Sequence, residues 1–140
     1  MANMYPSKKA GGGGGLSETL LWTNPTPSGS YSGGLVTLSE AVYDGNTIIY
    51  DYIKIELRNA GSSSYVTEVL YPTSVLKYMY SNAYYVPIGI SDQGSNQMYV
   101  RYIQLTNATT LRFGSCYKTG TSSGYSSACY PLTVKGCKLT

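Results

Sequence analysis

Between Thr47 and Arg58 apolar and polar side chains alternate. Ile49, Ile53, Ile55 and Leu57 share one parity, and Tyr50, Tyr52, Lys54, Glu56 and Arg58 share the other. A period of two places successive side chains on opposite faces of a strand, so this segment is expected to turn one face to a core and one to water. Asp51 interrupts the apolar parity, as a residue at a sheet rim can. The expectation is that Ile53, Ile55 and Leu57 point inward while Lys54 and Glu56 do not. Strands are also expected over Leu35–Leu38, Tyr65–Tyr71, Val75–Tyr80, Tyr84–Ile90, Met98–Leu105, Thr109–Tyr117 and Leu132–Leu139. Between them stand the turn-forming runs Asn59–Ser64, Ser81-Asn82, Asp92–Asn96 and Asn107-Ala108, and a Gly/Ser/Thr loop over Thr119–Ser127. The apolar stretch Leu16–Trp22 is followed by Pro25, Pro27 and Gly29, which forbid helix and impose a turn or an extended connection. No segment has a convincing helical period and no repeat of 20–50 residues is visible. Eight or nine short strands imply an all-β fold, an antiparallel β-sandwich or jelly roll.

A chain of 140 residues fits one domain with one core. Only 12 % of it is charged, about half the usual share, against 42 % apolar, so most of it should fold. Its polar surface must come from Ser, Thr, Asn, Gly and Tyr. Tyrosine occurs 16 times, beside one Phe and one Trp. Tyrosine combines a large apolar ring with a polar tip and suits both half-buried strands and contact surfaces. Tyr78, Tyr80, Tyr84 and Tyr85 fall within eight residues. That is more than one small core face can bury, and it makes these residues candidates for an oligomer or ligand contact on strand faces.

Residues 1–15 are unlike the module that follows at 16–140. They end in five glycines, Gly11 to Gly15, whose backbone is costly to order. The segment reads either as a passive tail or as an arm that a partner holds. In the second case Tyr5, Pro6, Lys8 and Lys9 are the candidate partner-anchoring residues. No apolar run of signal-peptide length opens the chain and none could span a membrane, so synthesis in a cytoplasm without export is expected.

Catalytic chemistry finds little to work with. The absence of histidine removes Ser-His-Asp and Cys-His arrangements and the commonest metal ligand. The seven acids, Glu18, Glu40, Asp44, Asp51, Glu56, Glu68 and Asp92, form no evident pair, and Glu56 and Glu68 read as solvated. The glycine run lacks the Lys-Ser/Thr of a phosphate loop, and Asp92–Asn96 has too few acids for calcium. Asn107-Ala108-Thr109 matches a glycosylation acceptor by chance. Cys116, Cys129 and Cys137 have no zinc spacing and read as small buried hydrophobes, with no disulfide expected, although Cys116 and Cys129 are placed on neighbouring strands. The net charge of +3 is scattered, with Lys8-Lys9 the only adjacent pair, so no nucleic-acid interface is expected. No catalytic residue, metal or cofactor is expected.

Three stretches together resemble a known family. They are Leu20-Leu21-Trp22-Thr23-Asn24-Pro25-Thr26-Pro27, then Tyr50–Leu57, then Arg112-Phe113-Gly114-Ser115-Cys116-Tyr117 with Cys129-Tyr130-Pro131-Leu132-Thr133-Val134-Lys135-Gly136. They look like motifs of tail-fibre and head-fibre β-modules, minor structural proteins of bacteriophages of Gram-positive hosts. The resemblance spans about residues 20–140. It implies a virion protein reaching the outside by lysis, a homotrimer, and contact with other virion proteins or a host-surface glycan or protein. A module standing nearly alone behind a short arm fits a capsid decoration or head-fibre protein. The alternative is a tail-fibre, receptor-binding or carbohydrate-binding adhesion module. The family motifs carry no named binding residues.

Overall fold

The structure, a computed structural model, describes residues 15–26, 29–60, 66–91, 96–121, 124–125 and 128–140. Tyr5, Pro6, Lys8 and Lys9 lie outside the described residues. Gly15, placed with the arm, is tied to the module: its carbonyl accepts hydrogen bonds from the Thr140 N–H (3.0 Å) and hydroxyl (3.1 Å).

The fold is all-β, two antiparallel sheets sharing one core. The first sheet joins β1 (Leu16–Thr23), β11 (Ala128–Leu139), β5 (Tyr52–Ala60) and β6 (Val66–Pro72), in that spatial order. The second centres on β8 (Met98–Asn107). β7 (Val86–Ser91) pairs with one edge of β8. The other edge pairs successively with β10 (Tyr117–Lys118) and β9 (Thr110–Phe113), and β2 (Gly34–Thr37) closes the sheet beyond β9. β3 (Tyr43–Asp44) and β4 (Thr47–Ile48) form a small hairpin.

Ile53, Ile55 and Leu57 are fully buried, opposite Ile88, Ile103, Leu105, Leu111 and Phe113 of the second sheet in one apolar cluster. Lys54 and Glu56 face outward, as alternation requires. Tyr50 departs from its expected polar side. The strand breaks between β4 and β5, the N–H groups of Ile49 and Tyr50 both donate to Val42 O, and the Tyr50 ring turns in to 4 % exposure. It lies flat on Gly136, where an added Cβ would sit 2.5 Å from the ring. Its hydroxyl donates to Glu40 at 2.6 Å. The apolar parity was interrupted at Asp51 because the strand stops there: Asp51 O accepts the Thr73 N–H and its carboxylate accepts the Leu139 N–H.

Val75–Tyr80 is not a strand. It belongs to α1 (Thr73–Ser81), a helix of nine residues. Its sequence, VLKYMY, is rich in strand formers, and its single buried stripe is only Thr73 and Leu76, too short to announce a helical period. Tertiary contacts decide instead. Pro72 fixes the entry, and the Thr73 hydroxyl donates to Tyr50 O at 2.5 Å. Lys77 donates to Gly45 O and stacks 4.6 Å from the Tyr43 ring centre. The exit is a Schellman turn: Ala83, at φ 60, donates to Tyr80 O, and Tyr84 donates to Met79 O.

The expected strand Thr109–Tyr117 is likewise divided, into β9 and β10. The residues between them, Gly114-Ser115-Cys116, leave the ladder. Cys116 therefore lies between strands, whereas Cys129 sits in β11 of the other sheet, so the two are not on neighbouring strands. All three cysteines are free thiols and buried.

Candidate functional site

The outward faces of the two sheets differ in chemistry. On the first, Lys54 bridges Glu18 (2.7 Å) and Glu68 (3.3 Å), and Lys135 bridges Glu56 (2.8 Å) and Glu18 (3.8 Å). The Thr133 hydroxyl donates to Glu56 at 2.6 Å. Lys54 holds the Glu18 carboxyl below its ordinary range, and Lys135 with Thr133 does the same to Glu56. Acids so engaged by lysines form a paired, solvated lattice, and among the described residues no group of three or more His, Cys, Asp or Glu gathers that could hold a metal.

The outward positions of the second sheet carry Leu35, Pro87, Met98, Val100, Tyr102, Gln104, Arg112 and Tyr117 in register. Arg112 is the one charged side chain among its described outward positions, and it has no ion-pair partner among the described residues. Tyr102 stands at the centre of this face. Its ring centre is 5.9 Å from that of Tyr85 and 5.9 Å from that of Tyr117. The Tyr117 hydroxyl donates to the Tyr102 hydroxyl at 2.6 Å, and this bond, helped by partial burial, pushes the Tyr117 phenol up to about 12.

These rings line a cleft of about 250 Å³ with Arg112, Gly114 and Ser115. The break between β9 and β10 borders it, with Gly114 and Ser115 in its wall. Gly114 still donates to Tyr102 O at 2.7 Å, and the chain then leaves the ladder before Tyr117 rejoins opposite Val100. A side chain at Gly114 would meet Tyr102 O at 3.2 Å, so the close approach favours glycine.

From beneath, Arg101 fixes the ledge. Its side chain is fully buried, and it donates to Cys129 O (2.8 Å), Gly114 O (3.0 Å), Tyr31 O (2.7 Å) and Ala128 O (3.2 Å). Cys129 has φ 47, which turns the successive carbonyls of Ala128 and Cys129 toward one guanidinium. Burial pulls the Arg101 pKa down from its ordinary value, and the Tyr31 ring centre lies 5.2 Å away.

Of the tyrosines singled out from sequence, all four are exposed: Tyr78 65 %, Tyr80 41 %, Tyr84 61 % and Tyr85 56 %. They are not on strand faces, however. Tyr78 and Tyr80 project from α1, and Tyr84 and Tyr85 occupy its connection to β7. Only Tyr85 reaches the cleft. Sequence reasoning missed Arg101, Tyr102, Arg112 and Tyr117. Arg101 carried a signal, since an arginine two residues before Ile103 on the apolar parity of β8 must either break the strand or be buried with partners.

A second concavity, about 460 Å³, lies beside Trp22, Pro25, Tyr31 and Leu35. Asn24 organises it. Its amide donates to Pro131 O at 2.8 Å and its side-chain oxygen accepts the Thr26 N–H at 2.9 Å, which staples the end of β1 to β11. The role of the Trp22–Thr26 motif in the fold is this staple. Among the described residues no helix is long and apolar enough to cross a membrane. No family model, curated protein or solved structure matches the chain.

Proposed function

We propose that this protein is a bacteriophage virion structural protein, a capsid decoration or head-fibre module that attaches through residues 1–15 and presents its tyrosine face outward. The observation that carries this reading is the contrast between the two sheets: one outward face is crossed by a paired charge lattice beside exposed aliphatic Leu16, Leu20, Val66 and Leu70, whereas the other carries the tyrosine cleft and, among its described residues, Arg112 as the one cation, without an ion-pair partner. A face that leaves Leu35, Tyr85, Met98 and Tyr102 exposed suits contact, because large apolar surface left in water has a free-energy cost. The proposed role is contact rather than catalysis.

A second reading, a tail-fibre or carbohydrate-binding adhesion module, is favoured by one feature, the Tyr85–Tyr102–Tyr117 cleft. In either case the working form is a homotrimer, with exposed Tyr78, Tyr80 and Tyr84 offered as its contacts. Cryo-electron microscopy of particles from the encoding virus tests the proposal. Many copies on the head shell, each joined through residues 1–15, are expected of a decoration protein. A few copies at the tail would favour the adhesion reading, and absence from the particle would overturn both.

A further inference from the structure

We propose that the cleft between Tyr85, Tyr102 and Tyr117 binds an acidic saccharide, a pyranose unit bearing a carboxylate, with its ring on the tyrosines and its carboxylate on Arg112. The inference rests on the reading of the second sheet as the contact surface and names what that surface takes.

Shape comes first. At about 250 Å³ the cleft is below the ~300–1,000 Å³ of sites for drug-sized ligands, and it suits one sugar unit of a longer glycan. The rings are tilted by 54° between Tyr85 and Tyr102 and by 41° between Tyr102 and Tyr117, so they form a shallow aromatic cradle and not a flat wall. A pyranose has an apolar C–H face that can lie on such rings, and hydroxyls around its rim that need partners. Partners are present. Tyr117 donates to Tyr102, which leaves the Tyr102 hydroxyl proton free to donate outward, and Ser115 stands at the wall.

Charge decides the class of sugar. Among the described residues Arg112 is the only charge on this face, and no described acid on the face opposes it. A guanidinium presents a planar fork that matches a carboxylate with two parallel hydrogen bonds. One such fork engages one anionic group, and its plane matches that of a carboxylate, the group that uronic and sialic acids carry. The site is also held before any ligand arrives, because Arg101 ties Gly114 from below and Gly114 is bonded to Tyr102. Such preorganisation lowers the ordering cost of binding.

The test titrates the full chain with oligosaccharides of galacturonic, glucuronic and N-acetylneuraminic acid and with neutral galactose and glucose oligomers, by calorimetry and by NMR shift mapping. At least one acidic member is expected to bind about tenfold or more tighter than its neutral counterpart, the worth of one charge-assisted pair, and to weaken with salt. Arg112→Gln, at an exposed position, is expected to erase that preference. Tyr102→Ala, with Tyr85→Ala as the second variant, is expected to remove binding of acidic and neutral forms alike while amide spectra stay folded. Binding of neutral and acidic sugars equally well, a preference that survives Arg112→Gln, or binding of no member of the panel overturns the inference. None of these results touches the contact-surface reading, which fails separately if the Tyr85→Ala and Tyr102→Ala variants, carried on particles, leave every attachment of the particle unchanged.

Discussion

Arg101 shows how much one side chain can organise. A guanidinium taken out of water without a carboxylate is tolerable only when its donors are satisfied, and here four backbone carbonyls do so. They come from the first sheet, from the segment before β2 and from the cleft ledge, so the residue joins regions far apart in sequence. Replacing it with an apolar chain of similar length leaves those carbonyls without partners. Arg101→Met is therefore expected to cost more than about 3 kcal/mol in urea denaturation, because each orphaned buried acceptor carries its own desolvation penalty. A loss under about 1 kcal/mol would contradict this role. The cysteines illustrate the opposite case. Burial pushes the Cys129 thiol up to about 12 and also raises Cys116 and Cys137. Thiolate is the reactive form, so labelling at pH 8 is expected to modify none of the three in the native protein and all three in denaturant. At this scale the sequence showed the thiols as small buried hydrophobes, because their spacing and the lack of histidine left little else. It did not show Arg101 as a clamp, since that depends on where four distant carbonyls point.

Strands were legible where one face is wet and the other dry, and illegible where the ladder breaks. β5, β6, β7, β8 and β11 fall close to the expected segments because alternation specifies them directly. The break at Ile49–Asp51 left one local mark, the Asp51 that interrupts the apolar parity, whereas the break at Gly114–Cys116 was not read from the sequence; both are set by hydrogen bonds from other elements. The helix α1 was missed for a related reason. Its residues favour strands, and tertiary contacts together with its C-terminal turn, not its pattern, hold it. Ala83 occupies the left-handed position of the Schellman turn, where glycine is usual. Ala83→Gly should relieve that strain and raise stability by about 0.5–1 kcal/mol, read as a higher denaturation midpoint. A lower midpoint would mean that the exit of α1 is not under the strain its φ implies.

The whole molecule is organised by the difference between its two outward faces. The charged face makes a prediction about pH. Lys135 lowers Glu56 and Lys54 lowers Glu18, so their folded values lie below the ordinary 4.5. A carboxyl lowered by folding contributes stability that is full above its unfolded value and is lost as pH falls through its folded value. The gap in melting temperature between wild type and Glu56→Gln is expected to hold from pH 7 to about pH 5 and to close toward pH 2. A gap that persists in acid would show that Glu56 acts by packing and not by charge. The tyrosine face was only half legible. Its composition showed in the tyrosine count, and Tyr85 was identified, but Tyr102, Tyr117 and Arg112 come from separate strands that only the register of the second sheet brings together. The claim that this face makes the protein's contacts is tested most directly by hydroxyl-radical footprinting. The protein on intact particles bound to host-cell envelopes is compared with the isolated protein. Protection of Tyr85, Met98, Tyr102 and Tyr117, with Leu20, Val66 and Leu70 of the first sheet still labelled, is the predicted result. Protection confined to the first sheet, or labelling of the tyrosine face unchanged by the partner, would contradict it.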